Sequence, residues 1–318
     1  MIEQWPTVSV CCITYNHAQF LSQTIESVLM QQTNFDIEMV IGEDCSTDNT
    51  RAIAQEYEKN NPGRIRVLTP SANLGIMSNL MATMAACTGE FVAFLEGDDY
   101  WTDTSKLQRQ VEAMRTNPNC SFCFHDAKVI YEFQLGRPSI LFSQQATHAL
   151  PPPAEDAPFL QFTQTDLACV GWVVPSASML FRAASLPQPI PNWFVGVHSG
   201  DYTLHLLSTR WGPALYLPRV MSAYRLHAQS ISIAGHKSEL QFERRIHEGK
   251  MFKQHVFEAK DVKYANIYLA KQYGNHANYF LHKGKMTKYI FNEIKFLYFS
   301  RQRITMYLER WLRKLMQS

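Results

Sequence analysis

Residues 91–101 read FVAFLEGDDYW, an apolar run followed at once by three carboxylates. The run Phe91–Leu95 predicts a strand that is buried on both faces of a sheet. Glu96, Asp98 and Asp99 come directly after it. Like charges this close repel, and each raises the pKa of the others unless a positive charge lies among them. The stretch is therefore either a solvated turn or a site prepared for a cation.

Strand and helix patterns alternate around this stretch through the first 125 residues. The predicted strands are Thr7–Thr14, Ile37–Gly42, Arg64–Thr69, Phe91–Leu95 and Cys120–Phe124, and the predicted helices are Phe20–Leu29, Thr47–Asn60, Met77–Cys87 and Leu107–Met114. Such alternation is typical of an α/β fold with a mostly parallel sheet and helices on both faces.

The regular alternation of strands and helices ends at about residue 126, after which proline-rich loops separate the remaining elements. A final strand is predicted over Arg219–Leu226, and the chain is helical after Ser238. We therefore expect one domain over residues 1–235, with halves 1–125 and 126–235, and a helical region over residues 236–318.

Composition is that of a globular protein, with 46% hydrophobic and 18% charged residues among 318. The net charge of +2 indicates no nucleic-acid partner. An odd count of seven cysteines predicts reduced thiols and a cytoplasmic location. We recognise no secretory signal at the start, and no apolar stretch approaches the roughly 20 residues that a spanning helix needs.

The charge is concentrated at the end of the chain. Residues 283–318 hold nine Lys and Arg residues against two Glu residues. Ile304, Leu308, Trp311 and Leu315 recur there at helical spacing, which predicts a basic amphipathic helix. Such a helix suits an anionic membrane surface, and it equally suits packing on the rest of the chain or on a second copy.

Polar side chains follow several predicted strands at the same point, their carboxyl ends, where ligands bind in open parallel sheets. They are Asn16 and His17 after the first strand, Glu43, Asp44 and Asp48 after the second, and Glu96, Asp98 and Asp99 after the fourth. Two acidic clusters at one edge predict a site for a hard divalent cation, Mg²⁺ or Mn²⁺, that also receives phosphate oxygens. The sequence has no GxGxxG after the first strand and no P-loop, which weakens dinucleotide and P-loop interpretations.

Four segments of the sequence, taken in their order along the chain, resemble those of a known family. SVCCITYNHAQFLSQTIESVLMQ, MVIGEDCSTDNT, ANLG and GEFVAFLEGDDYW resemble the nucleotide-sugar domain of family 2 glycosyltransferases, which have the GT-A fold. Downstream, SGDYTLHLL resembles the motif that supplies the catalytic base, and SAYRLHAQSIS the closing strand and loop, so the resemblance covers residues 7–233. Cys45 stands where glycine is usual, and Glu96 where aspartate is usual.

The resemblance implies a metal-dependent, inverting transfer of a sugar from a nucleoside diphosphate sugar, a UDP-sugar in particular. The acceptor would be a hydroxyl of a glycan or lipid-linked molecule in bacterial surface polysaccharide synthesis. A lipid-linked acceptor would favour a peripheral position at the inner face of the plasma membrane. The transferred group would be a hexose or an N-acetylhexosamine.

The same resemblance assigns roles to residues of this chain. Asp98 would be the main metal ligand, with Asp99 assisting directly or through water, and Glu96 would bind the ribose. Asp44 would read the base or ribose beside Thr14, Tyr15 and Asn16. Arg225 and His227 would close over the diphosphate, with His227 as a further metal ligand or donor; ordinary polar residues at the end of a strand are the alternative interpretation of both.

Asp201 is the candidate general base for the acceptor hydroxyl. It follows Gly200 at the start of a predicted helix, where the helix dipole favours a carboxylate. A helix cap is the alternative interpretation of the same position.

Two alternatives to a transferase remain. A sugar-nucleotide pyrophosphorylase has a related sheet, but it usually carries a glycine-rich basic loop near its start, and TYNHAQF is not one. A nucleotide-sugar or glycan-binding module without catalysis is the other. The trio Asp98, Asp99 and Asp201 argues against that module.

Overall fold

The computed structural model describes residues 7–132, 137–145, 150, 153–154, 157–230 and 238–300. The chain divides into two compact units. The first contains the residues up to Val195 together with Asp201–Ala228, and the second contains Gly196–Gly200 and the residues from Gln229 onward. The domain boundary predicted at residue 235 and the helix predicted around Ile304–Leu315 lie outside the described residues.

In the described part of the chain, the first unit is built on one sheet of ten strands. The strands are β1 Val8–Thr14, β2 Ile37–Glu43, β3 Ile65–Leu68, β4 Phe91–Glu96, β5 Tyr100–Trp101, β6 Phe122–Tyr131, β7 Ile140–Leu141, β8 Leu160–Phe162, β9 Leu180–Arg182 and β10 Ala214–Leu226. The helices that accompany them are α1 Leu21–Leu29, α2 Thr50–Asn60, α3 Ile76–Ala86, α4 Lys106–Thr116, α5 Phe142–Gln145, α6 Gln164–Val170 and α7 Gly200–Ser208.

The sheet order is β3-β2-β1-β4-β9-β6-β10-β5, with β7 on β6 and β8 on β10. Strands β3, β2, β1 and β4 are mutually parallel, as are β6 and β10. The short strand β9 runs antiparallel between β4 and β6. The predicted α/β class with a mostly parallel sheet and a helical C-terminal region is therefore confirmed.

Register brings three loops to one edge of the sheet. Thr14, the last residue of β1, pairs with Glu43 at the end of β2. Ile13 pairs with Glu96 at the end of β4. Since these strands are parallel and end together, the segments that follow them start side by side, as the positions of the polar residues predicted.

Complete burial explains the apolar strands. The central residues of β1, β2 and β4 are almost fully excluded from solvent, and α1 packs Leu21, Ile25 and Val28 into the same core. Each such side chain contributes about 1.5–3 kcal/mol on burial, so the edge is a rigid platform.

The second unit is helical. It contains α8 Glu239–Met251, a π-helical turn Phe252–Val256 and α9 Val262–His282, and residues 286–300 are also helical. Its core joins Ile246, Leu269 and Tyr273 to Phe296 and Phe299. Among the described residues no helix is both long and apolar enough to cross a membrane.

Lys106, the first residue of α4, is fully buried. Its Nζ donates to Gln110 Oε1 at 2.7 Å and lies 4.0 Å from the ring centre of Trp101. Burial lowers the pKa of Lys106 to about 7. In the unfolded chain the amine has its ordinary pKa of 10.5, so between these two values the unfolded state binds more protons.

We therefore expect Lys106 to make the protein more stable as the pH rises from about 7 toward 10.5, by about 1 kcal/mol for each pH unit. Lys106→Met removes the titrating group. The difference in free energy of unfolding between wild type and variant, measured with urea, should change with that slope. Lys59→Met on the exposed face of α2 is the control and should leave the pH profile of the wild type unchanged. Equal slopes for wild type and Lys106→Met would contradict the expectation.

Candidate active site

The turn after β4 is held against the end of β1 by Gly97. Its N–H donates to Ile13 O at 2.9 Å. A Cβ at this position would lie 2.4 Å from Thr14 Oγ1 and 2.9 Å from His17 Nδ1, closer than real Cβ atoms come. Glycine is thus required between Glu96 and Asp98, because any side chain would push the turn away from β1 and from His17.

This close approach assembles a cluster of three ligand-type side chains. Asp98 Oδ2 lies 3.0 Å from His227 Nε2 and 3.9 Å from His17 Nε2. The ligand atoms of the three residues fall within 4.8 Å of one another. Asp98 and His227 were predicted as metal ligands, and the structure brings them together.

The electrostatics of the cluster suit a cation. Burial by itself raises the pKa of Asp98, but the hydrogen bond with His227 and the charge of the imidazoles when protonated outweigh it, so the pKa lies below its usual value. Burial lowers the pKa of His17 more than the charge of Asp98 raises it, which keeps that imidazole available as a neutral ligand.

One carboxylate oxygen of the cluster accepts no hydrogen bond from the described residues. Asp98 Oδ1 is buried without a hydrogen-bond partner in the described part of the chain. Buried carboxylate oxygens are rarely left so, and a bound ion is one of the ordinary explanations. Two imidazoles and a carboxylate fit a divalent metal that accepts both nitrogen and oxygen, and Mn²⁺ fits this donor set better than Mg²⁺ does.

Asp99 has a partner on β10. It is fully buried, its Oδ1 accepts the backbone N–H of Arg225 at 2.8 Å, and it is not part of the cluster of His17, Asp98 and His227. Burial, with the charges of Asp98 and Glu96, raises the pKa of Asp99 well above its usual value. Asp99 Oδ2 is buried without a hydrogen-bond partner among the described residues, and the assisting role of Asp99 toward a metal stays a prediction.

Arg225 supports the same turn from the protein side. Its Nη1 donates to the carbonyl of Asp98 at 2.5 Å, Nη2 to Gln23 Oε1 at 2.5 Å and Nε to Glu132 Oε1 at 3.0 Å. The guanidinium is buried and also lies over the Phe20 ring. In this structure it positions the turn, and the contact with a diphosphate stays a prediction.

Glu96 and Asp201 interact through their charges. Ser176 Oγ lies 3.3 Å from Asp201 Oδ2. Burial and the charges of Asp98 and Asp201 raise the pKa of Glu96 to about 8, although a smaller contribution from Ser176 lowers it. The candidate base is thus within electrostatic reach of the acidic turn, although it is 105 residues away along the chain.

Asp201 lies in the first turn of α7, as predicted. Trp172 donates its indole N–H to Asp201 Oδ2 at 2.7 Å. Ser176 also contacts Oδ2 of Asp201. Both hydrogen bonds of the carboxylate thus go to Oδ2, and none of the described residues donates to Oδ1. That oxygen can accept a proton from a bound hydroxyl.

Hydrogen bonds join the loops after β1 and β2. Asn16 adopts a left-handed conformation with φ 56°, its N–H donates to Ser46 Oγ at 2.9 Å, and its Oδ1 accepts the Thr47 N–H at 2.8 Å. Tyr15, next to it, is exposed and Thr14 is buried. The two loops are therefore held in one position relative to each other, beside the acidic turn.

The acidic residues after β2 turn out to have structural partners. Asp44 accepts backbone N–H groups from Leu74 and Gly75 at 2.7 and 3.0 Å, which holds the loop before α3. Asp48 accepts the Thr50 N–H at 2.9 Å at the start of α2, and Glu43 pairs with Arg51 at 2.5 Å. The acidic cluster after β2 is thus not directed at the cation position, and the role of Asp44 toward a base or ribose stays a prediction.

Cys45 has φ 59°, in the left-handed region that favours glycine. This is the position at which the resemblance expects glycine. The backbone shape is therefore kept while the residue differs.

His17 and Ser176 received no role from the sequence, and the contact between Trp172 and Asp201 was not foreseen either. His17 carried a signal, since it follows β1 at the ligand edge and β1 neighbours β4. Ser176 and Trp172 lie in segments without a motif, and only the tertiary structure brings them to Asp201.

Comparison with known proteins gives a family. The model of the family "Glycosyl transferase family 2" matches residues 9–176, which include the acidic turn and Ser176. An uncharacterized protein of Mycobacterium bovis is 30% identical over 224 residues, which are 70% of this chain and 60% of that protein. The chain thus spans less than two thirds of this relative.

Two further similarities concern named proteins. The UDP-Glc:alpha-D-GlcNAc-diphosphoundecaprenol beta-1,3-glucosyltransferase WfgD of Escherichia coli is 33% identical over 123 residues, 39% of this chain and 46% of that enzyme. The crystal structure of S. aureus TarS in complex with UDP-GlcNAc superposes with a TM-score of 0.63 at 18% identity, over 90% of this chain and 79% of that one. At that identity the superposition shows the fold alone.

The cluster of His17, Asp98 and His227 predicts binding of Mn²⁺. Mn²⁺ at about a hundredfold above its Kd should stabilise the protein by about 2.7 kcal/mol, seen as a higher Tm. Asp98→Asn should remove most of this shift, because it removes the charge between the two imidazoles.

The matched control is Asp48→Asn, which changes an acidic residue at the same edge of the sheet. It should lower the Tm without metal, since it weakens the start of α2, and keep the Mn²⁺-induced shift. A full Mn²⁺ shift in Asp98→Asn, or its loss in Asp48→Asn, would show that the cation binds elsewhere.

Proposed function

Because the chain belongs to glycosyl transferase family 2, we propose that it transfers a sugar from a nucleoside diphosphate sugar to a hydroxyl with inversion at the anomeric carbon. The donor is a UDP-sugar and the acceptor a glycan or a lipid-linked sugar of a surface polysaccharide. Similarity to an enzyme named for a UDP-Glc donor and a diphosphoundecaprenol-linked acceptor supports both choices.

The donor would bind along the carboxyl edge of β1, β2 and β4. Tyr15 is exposed beside the fixed loop of Asn16 and offers a ring face to the base. Thr14 and Asp44 are buried beneath the loops after β1 and β2, and their side chains support these loops. Glu96, at the end of β4, would hydrogen-bond the ribose.

A divalent cation held by Asp98, His17 and His227 would supply the charge that neutralises the leaving diphosphate. The protein residues keep this position ready. Phe20 packs on the His227 ring with 4.7 Å between ring centres, and Thr14 Oγ1 lies 3.3 Å from His17 Nδ1. Both imidazoles are therefore oriented before any ligand arrives, which lowers the cost of assembling the site.

Asp201 would take the proton of the acceptor hydroxyl. Its Oδ2 is held by Trp172 and Ser176, so the carboxylate keeps one orientation and turns Oδ1 to the acceptor. A general base of this kind contributes about 10²–10⁴-fold to the rate. Deprotonation of the attacking hydroxyl on the side opposite the leaving group gives inversion.

One observation carries the proposal: His17, Asp98 and His227 form a cation-type cluster at the carboxyl edge of the sheet, and the charge of Asp201 acts on Glu96 in the same acidic turn. The groups that would bind the donor and the group that would activate the acceptor thus belong to one site. Asp98 faces imidazoles and Asp201 faces Trp172 and Ser176, so the two carboxylates have different partners and would perform different tasks.

Asp201→Asn is expected to separate binding from chemistry. The amide keeps the shape and still accepts the Trp172 bond, but it cannot take a proton. We expect kcat for transfer, or for hydrolysis of the best donor in a panel of nucleotide sugars, to fall at least about 10²-fold. The rise in Tm caused by UDP with Mn²⁺ should stay as in the wild type.

Outcomes of the same panel separate the candidate functions. A wild-type protein that binds UDP with Mn²⁺ but consumes no donor would be a binding module. Nucleotide sugar formed from a sugar phosphate and a nucleoside triphosphate would reveal a pyrophosphorylase. Undiminished transfer by Asp201→Asn would exclude Asp201 as the base.

Trp172→Phe tests the indole N–H that holds Asp201. Phenylalanine keeps a ring against Phe142, which lies 4.8 Å from the Trp172 ring, but it has no donor for Oδ2. A hydrogen bond to a charged group is worth about 1.5–3 kcal/mol, so kcat should fall by about 10–100-fold while the donor KM changes little.

The control for this variant is Trp211→Phe, an exposed tryptophan of the first unit. It should leave both kinetic parameters unchanged. If Trp172→Phe raised the donor KM and spared kcat, the indole would serve the donor and not the base.

A further inference from the structure

The helical residues 286–300 present a continuous apolar surface to solvent. We call it the apolar face. It consists of Met286, Ile290, Phe291, Ile294, Leu297 and Tyr298. Their exposed fractions run from 51% for Ile290 to 66% for Tyr298. At 100° per residue these six positions cover one side of the helix, so the exposure is a property of a face and not of scattered residues.

The opposite side of this helix is anchored to its own unit. Asn292 is buried there. Phe296 and Phe299 pack against the core of the unit, and Phe299 stacks on Tyr273 with 5.6 Å between ring centres. The helix therefore has a fixed rotation about its axis, which keeps the apolar face outward.

The described residues beside the apolar face carry a net positive charge. Residues 283–300 contain Lys283, Lys285, Lys288 and Lys295 against Glu293. Lys283 and Lys285 come just before the helix and Lys288 lies in its first turn, and all three are exposed. Glu239 pairs with Lys285 and Lys288, and the four lysines still outnumber Glu239 and Glu293.

Charge complementarity distinguishes the occupants of such a face. A second copy of the chain would bring an equally basic segment against this one, and like charges would oppose the pairing. An anionic bilayer attracts each Lys or Arg near its surface and accepts apolar side chains at its interface. Exposed apolar area of this extent is a liability for a chain that never buries it.

We propose that the apolar face docks on the surface of an anionic lipid bilayer. The helix lies in the plane of the interface, with Ile294 and Leu297 among the acyl chains and the lysines at the phosphate groups. This geometry needs no spanning helix, and the described residues contain none. The inference rests on charge and exposure in the second unit, so it stands apart from the proposed transfer reaction.

The test is co-sedimentation of the full chain with vesicles, without donor or acceptor. Vesicles of phosphatidylcholine with phosphatidylglycerol should bind the wild type, and vesicles of phosphatidylcholine alone should bind it at least about tenfold more weakly. Binding to the anionic vesicles should fall at an ionic strength of about 1 M, where the Debye length is about 3 Å.

Leu297→Gln removes apolar contact from the centre of the face and keeps a good helix former. We expect about tenfold weaker binding to the anionic vesicles, and a larger loss for Ile294→Gln combined with Leu297→Gln. Leu240→Gln is the matched control, since Leu240 on α8 is 58% exposed and Leu297 is 59% exposed. Leu240→Gln should bind vesicles as the wild type does, and all variants should keep the wild-type Tm.

Three results would overturn the proposal. Equal binding of Leu297→Gln and wild type to the anionic vesicles would exclude the apolar face. Equal binding to neutral vesicles would exclude the role of charge. A dimer of the wild type in sedimentation equilibrium without lipid, converted to a monomer by Leu297→Gln, would assign the face to a second copy.

Discussion

The site depends on one close approach, that of the turn after β4 to the end of β1 at Gly97. Parallel register alone brings Glu96 level with Ile13, but it does not bring the Asp98 carboxylate to His17. That step requires the absence of a side chain at residue 97, because a Cβ there would meet both Thr14 and His17. Arg225 then holds the turn with two hydrogen bonds. Its guanidinium donates to the carbonyl of Asp98, and its backbone N–H donates to the Asp99 carboxylate.

This arrangement resolves how three carboxylates can follow one buried strand. Asp98 faces two imidazoles, and Asp99 accepts an N–H of β10. These two carboxylates therefore have different partners. The raised pKa values of Glu96 and Asp99 show that repulsion and burial still act on both, and positive charge placed beside Asp98 would relieve them.

Much of the fold could be predicted from sequence because its cause is local. Short apolar runs such as Phe91–Leu95, bounded by turn residues, indicate strands covered on both faces, and the alternation with helices indicates a mostly parallel sheet. Asp98, His227 and Asp201 could be placed at the site because motif order identified them. Asp99 could not be distinguished from Asp98 in this way, since the direction of each side chain depends on the path of the turn. The contact of Trp172 with Asp201 joins residues 29 positions apart through a segment without periodic pattern, so no local rule predicts it.

The two departures from the usual family pattern have different physical meanings. At Cys45 the backbone keeps the left-handed conformation that glycine would adopt freely, so the departure adds strain and changes little else. Glu96 is one methylene longer than aspartate, and burial together with the charges of Asp98 and Asp201 raises its pKa to about 8. The longer side chain thus keeps a carboxylate whose charge interacts with the candidate base on α7. A departure that strains a loop can persist without function, whereas one that alters a carboxylate coupled to other charged groups changes the electrostatics of the site.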